Sequence, residues 1–257
     1  METLIRIEPN LSEVRSPHGV IPVAEVRLGG VPRGAVVVLC DEGGFDRDSS
    51  EILNGLAEHG YESVAAELGV DGSTLDREPG TADAGVDARS GTDVVAEVDA
   101  LLDHLRFRGW CDQQIGVVGL GAGGQIALRA ASEFGLGAVV SISPQSVSEM
   151  LGAEALSWVD QDRVIRTPWL GLVATRGPDH TKRILDLESM LDERSPVYVQ
   201  IVGYPGVAET FYRDSREAVE HAASFDAWQR TVEWLNLRVV PRPTPLAEAW
   251  AKKAALR

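Results

Sequence analysis

The chain is poor in the residues that mark several protein classes. It holds 2 cysteines, Cys40 and Cys111, far apart and outside any C-x-x-C spacing, which excludes a disulfide framework and a structural zinc site. Its 5 histidines, His18, His59, His104, His180 and His221, show no metal-ligand spacing. No apolar run approaches the ~20 residues of a membrane-spanning helix. The stretch Met1 to Asn10 alternates and carries charge, unlike a secretory leader. Positive charge is scarce too: 24 Lys and Arg stand against 39 Asp and Glu, a formal net charge of -15. A surface of that sign repels phosphate backbones and anionic lipids, so neither nucleic acid nor membrane is an expected partner. The expectation is a soluble, cytoplasmic, acidic protein.

What is present is 44% hydrophobic residues over 257 positions, enough for one large, well-buried domain. Leu4–Ile7 and Pro22–Leu28 alternate as edge strands do. Ala35–Leu39, Ile115–Leu120, Ala138–Ile142 and Trp169–Ala174 are apolar runs typical of strands covered on both faces. Between them lie helical patterns over Ser49–Glu58, Val94–Leu105, Gln125–Phe134, Thr181–Leu191 and Ala218–Leu235, with further strands at Ser63–Glu67 and Val197–Val202. Buried strand alternating with amphipathic helix implies a mostly parallel sheet flanked by helices on both faces. The domain is expected over residues 1–237. Beyond it, Pro241, Pro243 and Pro245 interrupt any helix or central strand, and residues 238–257 read as a Pro-containing tail ending in a short helix with Trp250. Its Arg238, Arg242, Lys252, Lys253 and Arg257 oppose the acidic body, which suggests a homo-oligomer formed through the tail.

The run Val117-Val118-Gly119-Leu120-Gly121-Ala122-Gly123-Gly124-Gln125 follows a strand and opens a helix. Two readings compete for it. It fits the G-x-Nu-x-G elbow of an α/β-hydrolase, with Gly121 where Ser or Cys would attack. It also spells G-x-G-x-x-G, the dinucleotide loop. That loop belongs after the first strand and wants an acidic residue about 20 positions on. Here at least two β-α units precede it, and the end of the next strand carries Ser141 and Ser143. The elbow is the stronger reading, with a dinucleotide-binding protein as an alternative.

The surrounding motifs resemble the dienelactone hydrolase family from about Gly34 to Leu235. Val36-Val37-Val38-Leu39-Cys40-Asp41-Glu42 is similar to that family's strand ending in a glutamate beside the active site. His59-Gly60-Tyr61 resembles its helix-to-strand step. Pro168-Trp169-Leu170 through Gly177-Pro178-Asp179 resembles the segment delivering the triad aspartate, and Tyr204-Pro205-Gly206-Val207-Ala208-Glu209-Thr210-Phe211 the loop delivering the histidine. The resemblance implies an α/β-hydrolase fold, an ester- or lactone-hydrolase ancestry and no cofactor. It puts Gly121, Asp179 and Glu209 at the triad positions, with Glu42 beside them, and the Gly43 and Ala122 N–H groups at the oxyanion-hole positions.

Two triad functions are then missing. Gly121 offers no lone pair for covalent attack, and Glu209 at its reference pKa does not shuttle a proton near neutrality. Cys40 is no substitute, because the adjoining Asp41 and Glu42 disfavour a thiolate. The expected protein is a hydrolase relative that has lost covalent catalysis and binds a small molecule or a partner. The alternative is an ester or lactone hydrolase in which Asp179 and Glu209 share a proton and activate water.

Overall fold

The computed structural model describes residues 7–40, 47–68, 91–144, 164–175, 180–213 and 218–255. Eight strands form one sheet: β1 (Asn10–Ser16), β2 (Gly19–Val26), β3 (Gly34–Cys40), β4 (Tyr61–Glu67), β5 (Ile115–Leu120), β6 (Ala138–Ile142), β7 (Trp169–Thr175) and β8 (Val199–Pro205). Their order is β1-β2-β4-β3-β5-β6-β7-β8. β1 and β2 are antiparallel to their neighbours, and from β4 onward every pairing is parallel.

Six α-helices are described: α1 (Arg47–Glu58), α2 (Gly91–Phe107), α3 (Ala122–Glu133), α4 (His180–Arg194), α5 (Ala218–Arg238) and α6 (Pro245–Ala255). α2, α3 and α4 cover one face of the sheet, where Leu101, Leu105, Ile126 and Leu187 meet Val37, Val117 and Val173. α1 and α5 cover the other, where Leu53, Leu56 and Leu235 meet Val36, Val118 and Val140. Every residue of β3 and β5 is buried, which is why both read as unbroken apolar runs instead of alternating ones. The parallel α/β architecture expected from the sequence is the one observed.

Several boundaries differ from expectation, among them β2, which runs Gly19–Val26 and not Pro22–Leu28, and β8, which runs Val199–Pro205 and not Val197–Val202. The first described strand is Asn10–Ser16; of Leu4–Ile7 only Ile7 is described, and it lies outside any strand. Only Val14 of β1 is buried, so the segment has almost no apolar period. It is a strand because Asn10 to Ser16 pair residue by residue with Glu25 to Gly19. α3 begins at Ala122 and not Gln125, since Gly123 and Gly124 belong to its first turn. The packed body also runs past Leu237: Val239 is buried in the core, and the Val240 and Arg242 N–H groups donate to the Gln113 and Arg33 carbonyls at 2.8 Å each. Gly69–Thr92, whose Gly, Asp, Ser and Thr content reads as a loop, and Pro144–Val164, which reads as mixed helix and loop, lie mostly outside the described residues.

Candidate functional site

The glycine-rich run turns from β5 into α3 at the C-terminal edge of the sheet. Gly121 is the N-cap of α3 with φ 53° and ψ -116°, a conformation that side chains adopt only under strain. Its N–H donates to the Ile142 carbonyl at 2.9 Å, and its own carbonyl accepts from the Gly124 and Gln125 N–H groups at 3.0 and 3.3 Å. A sharp strand-to-helix turn of this kind is what a nucleophile elbow requires.

The flanking glycines are there for contact. A Cβ at Gly119 would lie 2.1 Å from the Gly123 carbonyl oxygen, and one at Gly123 would lie 2.2 Å from that of Leu39. Helix, elbow and β3 therefore meet backbone to backbone. This packing accounts for the glycines that spell the dinucleotide fingerprint. At the position where that fingerprint wants an acid, the buried Ser141 hydroxyl accepts a hydrogen bond from Trp169 Nε1 at 2.9 Å.

Ser143, one residue beyond β6, continues the β5–β6 register at the level of Gly121. Among the described residues it alone combines a side chain with a positive φ, 49°. It is buried, and its hydroxyl has no hydrogen-bond partner among the described residues.

The loop after β8 leaves the strand through Gly206, whose φ is 76°. Tyr204 and Phe211 close it at the base, their rings 4.9 Å apart, with Phe211 fully buried. The Tyr204 hydroxyl donates to Asp226 Oδ2 at 2.7 Å, and Arg230 Nε donates to the same oxygen at 2.6 Å. Burial, followed by the neighbouring Asp226 carboxylate, raises the Tyr204 pKa well above the ordinary phenol value. Burial works to raise Asp226 as well, but Arg230 and the Tyr204 hydroxyl outweigh it and hold that carboxyl below its usual range. The half-exposed Asp226–Arg230 pair thus orients the Tyr204 hydroxyl at the loop base. Glu209 lies at the loop's turn and is exposed. Ala122 opens α3 beside Gly121 and is half-buried. Glu42, Gly43 and Asp179 lie outside the described residues.

Beside the elbow, between α1 and α5, is a cavity of about 310 Å³. Leu120 and Ile142 form its floor at the ends of β5 and β6, Ile52 and Trp228 its apolar walls, and Arg213 and His221 part of its polar lining. The Trp228 indole can lie against α1 because residue 55 is glycine; a Cβ there would sit 2.6 Å from the ring. The helical pattern over Ala218–Leu235 contains Trp228 and His221, but nothing in the sequence marked His221 or Arg213 as neighbours of the elbow, apart from the place of Arg213 directly after the Phe211-Tyr212 end of the loop.

A parallel sheet in this strand order, an elbow after its central β5 and a returning loop after β8 define an α/β-hydrolase fold. Residues 25–238 match the model of the dienelactone hydrolase family, and the chain belongs to that family. The fold is shared with a dienelactone hydrolase homologue from Klebsiella pneumoniae, at TM-score 0.66 and 21% identity over 89% of this chain and 98% of that one. It is shared too with Thermogutta terrifontis esterase 2, at TM-score 0.63 and 14% identity over 93% and 98% of the two chains. The Pyrococcus furiosus esterase PF2001 gives TM-score 0.61 and 14% identity over 90% and 92%. No curated protein matches the chain in sequence.

Proposed function

We propose that this member of the dienelactone hydrolase family no longer performs covalent hydrolysis and instead binds a small molecule at the C-terminal edge of its sheet. The observation that carries the reading is Gly121: the strained elbow geometry is kept while the residue it exists to present is absent. Covalent acyl transfer needs an attacking side chain and a base within hydrogen-bond reach, and Gly121 and Glu209 supply neither. The cavity beside the elbow combines apolar walls with a few polar groups, the usual makeup of a small-molecule site. With Glu51, Arg213 and His221 in its polar lining, the cavity favours a small, mostly apolar ligand bearing a hydrogen-bonding polar group. The water-activating alternative needs Glu209 desolvated against Asp179, and the exposure of Glu209 argues against it.

A panel of aryl esters and small lactones tests the reading on three proteins: wild type, Asp179→Ala and the double variant Gly121→Cys/Glu209→His. The expected result is no turnover by wild type and measurable hydrolysis by the double variant. Steady turnover by wild type that Asp179→Ala abolishes would overturn it.

A further inference from the structure

The tail helix α6 carries features that its own chain leaves unused. Thr244 caps it, with Oγ1 accepting the Ala247 N–H at 3.2 Å, and Pro245 occupies its first position, where a missing N–H costs nothing. It is a well-started helix. Yet Leu246 and Trp250, one turn apart on the same side, are each 68% exposed. An isolated helix of 11 residues is marginal in water and normally draws its stability from covering an apolar face.

α6 is also held away from the body. Arg242 is locked there by its N–H bond to the Arg33 carbonyl, by Nη2 donating to the Gly109 carbonyl at 2.7 Å and by its guanidinium 3.8 Å above the Trp110 ring. Only Pro243 and Thr244 separate that anchor from the helix, and Pro241, Pro243 and Pro245 fix the backbone around it. A two-residue link spans at most ~7 Å, so α6 has little freedom to fold back.

At the same corner of the molecule, α2 and β1 border an open groove. Its lining includes Val14, Pro17, Ala100 and Phe107 with the acidic Glu13, Asp99 and Asp103. Arg15 and His104 also line it, and Arg106 pairs with Asp99 and Asp103. Phe107 ends α2 two residues before the Gly109 anchor and is 93% exposed. The groove thus offers an exposed aromatic and acidic side chains, and α6 offers Leu246, Trp250, Lys252 and Lys253.

We propose that two copies of this chain exchange their α6 helices, Leu246 and Trp250 of each packing on Phe107 and the β1–α2 groove of the other, with Lys252 and Lys253 opposite its acidic rim. Donor helix and acceptor groove leave the same corner of each copy, so a two-fold arrangement satisfies both and closes the assembly. The exchange does not depend on what the elbow binds.

Sedimentation velocity on the full chain across the micromolar range, with no ligand, tests this directly. A concentration-dependent dimer is expected. Leu246→Ala/Trp250→Ala on the donor side and Phe107→Asp on the acceptor side should each weaken it by roughly 30-fold or more, the loss for removing an aromatic anchor. All three side chains are exposed, and unchanged circular dichroism confirms that the variants fold. Lys252→Glu/Lys253→Glu should weaken it further at low salt than at high salt. A wild-type protein monomeric throughout, or a dimer that donor and acceptor variants leave intact, overturns the proposal.

Discussion

Gly121→Ser restores the attacking side chain to the elbow, and its effect on stability can be worked out beforehand. At φ 53° and ψ -116° a residue with a Cβ pays a backbone penalty of about 1–3 kcal/mol. For a chain of this size each kcal/mol shifts the melting temperature by roughly 2–4 °C, so the variant should melt roughly 2–12 °C lower. Two neighbours calibrate the result. Gly135→Ala meets nothing within 4 Å and should be neutral. Gly123→Ala would place a Cβ 2.2 Å from the Leu39 carbonyl oxygen, an overlap with backbone that no rotamer relieves, and should prevent folding. Differential scanning calorimetry on all three gives the ordering. If Gly121→Ser melts with wild type or above it, the elbow is not strained, and keeping the turn without its nucleophile has no energetic meaning.

Other outcomes follow from individual contacts. The Glu25 side chain is fully buried and bonded to Arg27, His104 and Ser12. Burial works to raise its pKa, but these partners hold it below 4.5, so its contribution to stability is present above that pH and lost as pH falls through the lower folded value. Glu25→Gln should therefore destabilise the protein at neutral pH, by about 1–3 kcal/mol because the facing Arg27 is half exposed and can rehydrate, and flatten the acid limb of a urea-unfolding series; an unchanged limb would contradict this. Ser143→Gly removes both a positive-φ side chain and a buried hydroxyl with no partner among the described residues, and should raise the melting temperature by a few degrees, on the order of 1 kcal/mol. A fall on thermal denaturation would mean that the hydroxyl has a stabilising role.

The sequence made the central sheet legible because β3, β5, β6 and β7 are covered on both faces and could only be apolar throughout. β1 was not, since its strand character comes from pairing with β2 and its residues face mostly outward. The elbow was legible because its glycines answer to two physical demands, a positive φ at Gly121 and backbone contact at Gly119 and Gly123, and both leave a mark in the letters. The start of α3 was missed for the same reason, as Gly123 and Gly124 look like loop until the closeness of β3 is known. The cavity was hidden more deeply. Ile52, Arg213 and Trp228 come from separate segments that meet only once α1 and α5 pack on one face of the sheet. Of the site residues named from the resemblance, Gly121, Ala122 and Glu209 have described positions, and Glu42, Gly43 and Asp179 do not.

The retained elbow has an evolutionary consequence. A glycine codon of the GGY type becomes serine AGY or cysteine TGY by one base change, so from such a codon a side chain reaches position 121 in one mutational step, onto a turn already built for it. Glutamate and histidine codons differ at two bases, so position 209 needs two steps, through aspartate or glutamine. On the proposed reading, a gain of covalent chemistry would pass through proteins with a nucleophile but no proton acceptor, and the loop after β8, more than the turn after β5, would be the slower position to change.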